Sequence, residues 1–372
     1  MSAAICIVNP FEHGGGAEYQ INLLIEALAA RGRYDIHYLA HFTDGPDRQR
    51  RYRIVRVGGG GPVPRLGYLA DGPALYRTLA AIDPGVIYQR VACAYTGICA
   101  LYARRRGVPL LWHAAHDTDV TPNLLDPGRN VLRVRLDKWA VAFGVRRATR
   151  VIVQTEHQAD LLRLHFGRSA DAVIPNFHPP AAELLDKSGP LTVMWIANLK
   201  AWKRPEVFVR LAQAFSGRSG IRFVMVGAAA AGGGNQRWSR ALMQSVESTD
   251  NLEYLGEKSH REVNELLARA HVFVNTSTQE GFPNTFVQAW QRDVAVVSLS
   301  VDPDGVLERQ RTGIAAHTEP QLADAVRRLL DEPALREEYI ARGRQHAQQR
   351  HSLRNAADLI DLIDRNGGRP DG

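Results

Sequence analysis

Cysteine is scarce in this chain, at three residues (Cys6, Cys93 and Cys99) among 372. Three thiols cannot all pair and none has metal-ligand spacing, which excludes a disulfide framework and a zinc-ribbon site. They read as buried thiols of a reducing compartment. Long apolar runs are also lacking: none reaches the roughly 18 residues of a membrane span. The opening MSAAICIVNPF has neither the charged start nor the apolar core of a secretory signal. The expected location is therefore cytoplasmic. No helix-turn-helix, zinc-finger or interleaved basic and aromatic pattern occurs, so nucleic acid is not an expected partner. Short internal repeats are missing, and low-complexity sequence is confined to 227-GAAAAGGG-234.

What is present is arginine. Lys and Arg total 46 against 39 Asp and Glu, a net charge of +7. The excess is gathered in short groups at 48–56, 104–106, 129–138 and 146–150. Such a balance suits an anionic ligand or an anionic membrane surface. In 129–150 the charges interleave with Val131, Leu132, Val134, Leu136, Trp139 and Phe143. That mixture predicts a peripheral contact at the inner membrane face. The apolar fraction of 45% and charged fraction of 23% are those of an ordinary globular protein. The length exceeds one ordinary core and predicts two domains.

Periodicity supplies the organisation. An apolar strand at 3–10, a glycine turn in 13-HGGGAEYQ-20 and a helical pattern through 21–32 start a strand–loop–helix unit. Strands at 34–41, 52–58, 85–90, 108–115, 150–156 and 171–176 alternate with helices at 73–83, 95–107, 130–148 and 157–167. Proline and polar residues in 178-HPPAAELLDKSGP-190 mark a linker. The alternation restarts with strands at 191–198, 221–227, 252–256, 271–275 and 294–300 and helices between them. Helices at 319–330 and 333–349 follow, then an amphipathic stretch at 353–365 that returns to the first domain. The expected fold class is α/β, with two Rossmann-like βαβ domains facing a cleft. Domains are expected at 1–182 and 183–350, with 351–372 as a returning helix and tail. Ligands of open parallel sheets sit beyond the carboxyl ends of the strands, and the loops 13–18 and 277–285 both lie there.

Four groups of residues can carry chemistry. Gly14, Gly15 and Gly16 let backbone approach a ligand, and the helix behind them offers free N–H groups, which suits a phosphate or oxyanion. In 195-WIANLKAWKRPE-206, Lys200, Lys203 and Arg204 crowd the loop before a helix that starts at Pro205. Three cations can hold a diphosphate and stabilise it as a leaving group; a solvated charge run is the bland alternative. In 276-TSTQEGFPNTFVQAW-290 the carboxylate Glu280 stands in a Gly-Phe-Pro turn, able to accept hydroxyl hydrogen bonds or to cap the next helix. Gln288 follows about 2.2 turns on, able to accept and to donate. His113 and His116 follow 108-VPLLW-112 at the carboxyl end of its strand. Two D-x-D strings, Asp117/Asp119 and Asp302/Asp304, resemble fragments of metal sites, but no further ligands accompany them and no metal is expected.

Taken together and in this order, 14-GGGAEYQINLLIEALAARG-32, 151-VIVQTEHQADLL-162 with 173-VIPN-176, 195-WIANLKAWKRP-205, 254–284 and 303-PDGVLERQRTGIA-315 resemble the GT-B retaining glycosyltransferases of the family-four group. The resemblance covers nearly the whole chain. It implies a nucleotide-diphosphate-sugar donor held by the second domain, a hydroxyl acceptor held by the first, and no metal or other cofactor. Carried over, Gly14–Gly16 lie against the diphosphate and acceptor. Lys203 matches the family's lysine of a basic pair, whose arginine position here holds Asn198, with Lys200 or Arg204 in compensation. Glu280 matches the first carboxylate of the Glu-x7-Glu signature and contacts the transferred sugar. Gln288 replaces the second, which holds the ribose. Gly281, Phe282, Pro283, Asn284 and Thr285 turn backbone toward sugar and phosphate, and Gly227 and Gly256 end strands beside the donor. A histidine, His113 or His116, faces the sugar. The implied activity is transfer of a hexose with retained configuration to a glycan, glycolipid or small metabolite. The rival expectations are a silent nucleotide-sugar-binding scaffold of a glycan assembly complex and, much weaker, a dehydrogenase suggested by 227–234.

Overall fold

The computed structural model describes residues 3–12, 14–43, 51–59, 67–121, 131–181, 187–229 and 236–367. Positions 182–186 of the expected linker, 230–234 of the alanine–glycine run, 48–50 and 129–130 of the basic groups, and 368–372 of the tail lie outside the described residues. The chain divides into two compact units, Met1–Phe177 with Leu353–Gly372, and His178–Ser352.

The first unit holds strands β1 (Ala3–Val8), β2 (Tyr34–Ala40), β3 (Arg53–Arg56), β4 (Val86–Arg90), β5 (Leu110–His113), β6 (Arg150–Val153) and β7 (Ala172–Val173). All pair in parallel, in the order β3-β2-β1-β4-β5-β6-β7, with Ile5 opposite both Ile36 and Val86. Strand residues alternate between two faces, and each face has its own core. Cys6, Val8, Leu39, Ile87, Trp112 and Val151 lie under one helical layer. Ile5, Ile7, Tyr38, Tyr88, Leu111 and Ile152 lie under the other, built from the helices Gly16–Arg31 and Arg354–Gly367. Both faces are covered, so the strands read as near-continuous apolar runs. The last helix inserts Leu359, Ile360 and Ile363 into that core, and its Asp364 accepts a hydrogen bond from Tyr34 at 2.7 Å. On the other face, helices Ala94–Arg106 and Val131–Arg147 touch backbone to backbone. A Cβ on Gly144 would stand 2.5 Å from the Thr96 carbonyl, and one on Gly97 2.6 Å from that of Ala140.

The second unit holds β8 (Leu191–Ile196), β9 (Ile221–Val226), β10 (Leu252–Tyr254), β11 (Val272–Asn275), β12 (Ala295–Ser298) and β13 (Gly313–Ala315). These too are parallel, in the order β10-β9-β8-β11-β12-β13. Val193, Trp195, Phe223, Met225 and Val274 face one core, and Met194, Val224, Phe273 and Val296 face the other. The α/β expectation holds in both units. The edge strand β13 and the four-residue helix Val306–Arg309 are additions to the sequence reading. A Cβ at Gly313 would sit 2.5 Å from the Val296 carbonyl, so a glycine stands in the strand because its neighbour's backbone comes close.

In each sheet the connections leave in opposite directions from one pair of neighbours, β1 with β4 and β8 with β11. The crevice beyond the carboxyl ends at such a switch point is where open parallel sheets hold ligands.

Candidate active site

At the switch point of the second unit, the loops leaving β8 and β11 are stitched together. Trp195 donates its indole N–H to Thr276 Oγ1 at 2.9 Å, and that hydroxyl donates to the Lys203 carbonyl at 2.6 Å. The Thr278 N–H reaches the Trp202 carbonyl at 2.9 Å. Lys203 ends a short 3-10 turn, Ala201–Lys203, and Pro205 opens the helix Pro205–Gln213. This stitching sets Lys203 Nζ against Glu280 Oε1 in an ion pair. Ser277 Oγ donates to the same carboxylate oxygen at 2.8 Å, and Nζ lies 4.1 Å from the centre of the Trp202 ring. The side chains of Lys203 and Glu280 are only 15% and 13% exposed, so the pair is largely desolvated. Burial, with Lys200 adding to it, holds the Lys203 ammonium below its ordinary pKa, while Glu280 pulls the other way.

The neighbouring strand ends are drawn into the same edge. Leu199 N–H donates to Ala228 O at 2.9 Å, and Gly227 N–H to Gly256 O at 2.9 Å. At Gly227 (φ +154°) any Cβ would fall 1.7 Å from the Ala197 carbonyl; only glycine lets these loops close. Asn198 is half-buried in the same loop and Lys200 is exposed.

Other expected donor contacts are already engaged. Arg204, a candidate compensating cation, pairs with Glu319 at 2.9 Å, and Glu319 also takes Arg210 at 2.8 Å. Those guanidinium bonds, Arg210's first, hold the Glu319 carboxyl below its ordinary pKa. Gln288 is buried on the helix Asn284–Trp290 and donates its amide N–H to Asn264 Oδ1 at 2.9 Å. A neutral amide tolerates that burial better than the carboxylate of the Glu-x7-Glu pattern. Gly281, Phe282 and Pro283 are buried and Asn284 and Thr285 half-buried. The Phe282 ring packs 4.3 Å from that of His351, so its side chain is part of the core.

In the first unit, Gly14 (φ +106°) and the N-cap Gly15 precede the helix that begins at Gly16. Glu18 lies buried in its first turn, bonded by Asn9 Nδ2 at 2.8 Å, and a Cβ on Gly15 would meet it at 2.5 Å. The helix N-terminus thus already faces a carboxylate of its own chain. His113 ends β5 with 1% exposure, and Nδ1 lies 2.8 Å from the Tyr88 hydroxyl. Burial and then the Arg90 cation depress its pKa well below the ordinary range, so it is a neutral, interior histidine. His116 is half-buried, and its Nδ1 accepts from Thr118 N–H at 3.2 Å to cap the turn Asp117–Asp119. Asp119 receives the N–H groups of Ala92, Ala115 and His116 at 3.0, 2.7 and 3.0 Å. It ties the loops after β4 and β5 together. Asp117 accepts from Gln158 at 3.1 Å, and Asp302 from the N–H groups of Leu307 and Glu308 at 2.7 and 3.2 Å. Both D-x-D strings are therefore loop braces. Among the described residues no cluster of three His, Cys, Asp or Glu could hold a metal ion.

The structure brings Lys203 and Glu280 into one site and adds Thr276, Ser277 and Trp202, which the sequence reading did not single out. A Thr-Ser pair at a strand's carboxyl end was the available signal.

Comparison with known proteins gives the family and the fold. Residues 14–181 match the family described as Glycosyltransferase Family 4, and residues 181–346 match Glycosyl transferases group 1. The chain is 24% identical over 311 residues to the alpha-D-kanosaminyltransferase of Streptomyces kanamyceticus, covering 74% of this chain and 76% of that one. It shares its fold with the sucrose-phosphate synthase of Thermosynechococcus elongatus (TM-score 0.76, 18% identity, 98% of each chain covered). The Anabaena protein HepE, solved with UDP and glucose, gives a TM-score of 0.77 at 18% identity, over 98% of this chain and all (100%) of that one. With two family matches that run on from one another and two parallel sheets of the matching architecture, the chain belongs to the family-four-like glycosyltransferases of the GT-B fold.

Proposed function

We propose that the chain moves a hexose from a nucleoside-diphosphate sugar to a hydroxyl acceptor with retained anomeric configuration and without a metal ion. The desolvated Lys203–Glu280 pair at the β8/β11 switch point carries this reading. A cation in such a place neutralises charge that develops on a departing diphosphate. Its partner carboxylate is suited to accept hydroxyl hydrogen bonds from the transferred sugar. In the proposed reaction Lys203 exchanges Glu280 for a phosphate oxygen, and Glu280 turns to the sugar. The departing phosphate oxygen takes the acceptor's proton on the face of attack. The relation to HepE, whose structures contain UDP and UDP-glucose, supports UDP-glucose as the first donor to try. The acceptor is a glycan, glycolipid or small metabolite.

The rival, a silent sugar-nucleotide-binding protein of a glycan assembly complex, has one observation in its favour: Gln288 and Arg204 already have partners within the chain. Donor turnover separates the two. Thermal shifts and sugar release are measured with UDP-, GDP-, ADP- and TDP-sugars, with and without EDTA. A selective shift with EDTA-insensitive release is expected. A shift with no release in the presence of a broad acceptor panel would favour the binding protein, and release abolished by EDTA would overturn the metal-free route.

A further inference from the structure

The helix Val131–Arg147 carries an outward stripe that neither the donor site nor the core explains. Trp139 is 67% exposed, and among the described residues it is the only exposed tryptophan. Its ring stacks on Phe143 one turn later, 5.7 Å between centroids and 15° between planes. At helical spacing, Arg135 lies one turn before Trp139 and Arg146 about two turns after it on the same face. Lys138 and Arg147 flank the stripe. The helix contains five basic residues and one acidic one, Asp137, which stands about 160° round the helix from Trp139. The Trp139 ring stays exposed although it is stacked. The close approach at Gly97 and Gly144 braces the opposite side of the helix against the domain.

We infer that this face is a docking surface for an anionic phospholipid bilayer. The argument is charge complementarity joined to shape. Arginine and lysine meet the lipid phosphates while the indole and phenyl rings enter the interface, where amphipathic rings settle at headgroup level. Among the described residues no helix is long and apolar enough to cross a membrane, so the contact is one of lying on the surface. The docking goes beyond the transferase reading and does not depend on which sugar is moved.

The test is co-sedimentation of the full chain with vesicles of phosphatidylcholine, with and without phosphatidylglycerol, at low and high salt. Trp139→Ser and the double variant Arg135→Glu/Lys138→Glu are compared with the unmodified protein. Expected are binding only to the anionic vesicles, weakening with salt, a loss of about tenfold for Trp139→Ser, and near-complete loss for the charge reversal. Circular dichroism and the thermal midpoint are expected to stay unchanged, since these side chains pack on little. Equal binding to both vesicle types, no binding by the unmodified protein, or undiminished binding by Trp139→Ser would each overturn the inference. So would a dimer that Trp139→Ser dissolves in the absence of vesicle binding, which would assign the face to a second copy of the chain. Donor hydrolysis, measured in parallel without vesicles, keeps failure of the docking distinct from failure of the transferase reading.

Discussion

At the scale of single residues, the Lys203–Glu280 pair concentrates the risk. Each charge is tolerable because the other is there, and removing one leaves a largely desolvated ion. Glu280→Gln keeps the shape and can still accept from Ser277. It is expected to lower turnover about 100-fold and, because Lys203 loses its counter-charge, to cost about 1–3 kcal/mol in urea unfolding. Lys203→Ala is expected to raise the donor KM, lower kcat, and cost about 1–3 kcal/mol in urea unfolding. If either variant turned over donor normally, the pair would be structural. Gln288 invites the opposite substitution. Gln288→Glu puts a carboxylate at a 4% exposed position beside Asn264. Restoring the family's residue here is expected to lower stability by about 1–3 kcal/mol and not to improve turnover; a faster enzyme would show that the amide is a handicap.

At the scale of elements, the helix pair Ala94–Arg106 and Val131–Arg147 rests on two glycines that no periodicity announces. Gly144→Ala is expected to force the backbones apart and lower the unfolding free energy by about 1–3 kcal/mol, read from the urea midpoint; an unshifted midpoint would mean the helices can slide. Such close contacts were not legible in the sequence, because a glycine in a helix reads only as a weak helix former. The strands and helices were legible, because burial on both sheet faces writes apolar runs and burial on one helix face writes a 3.6-residue stripe. β13 escaped because three residues with a glycine make too short a run. In the site, Glu280 and Lys203 were legible as residue types at strand ends. Their pairing across 77 positions was not, nor was the loss of Arg204 to Glu319 across 115. Pairing between distant segments is decided by which loops the sheet order makes neighbours, and order is not written locally. Glu18 went unremarked for a related reason: two residues after a glycine turn it looks like any first-turn acid.

At the scale of the whole molecule, acid should act on the second unit through its buried histidines. His346, packed 5.3 Å from Trp290 and 5.2 Å from His351, is pushed down to about 4, by burial first and then by Arg350. Burial, followed by Arg292, also depresses His178. An imidazole with a lowered folded-state pKa binds its proton more readily once unfolded. Stability is therefore full above about pH 6.5 and is lost as the pH falls toward 4, by roughly 3 kcal/mol from His346 alone. Calorimetry across that range is expected to show the slope, and His346→Gln to make it shallower while His178 and His113 keep the remainder; a flat profile in the unmodified protein would mean the imidazoles are solvated. The helix Arg354–Gly367 has a consequence of another kind. It belongs to the first unit's core, yet the ribosome makes it after the entire second unit. The portion synthesised first is therefore the portion finished last, and until the final helix emerges Ile5, Tyr38 and Tyr88 have an open flank. The nascent first unit must wait, partly uncovered, while 175 residues of the second (His178–Ser352) are translated, and a chaperone that shields that flank would find its client at this stage of synthesis.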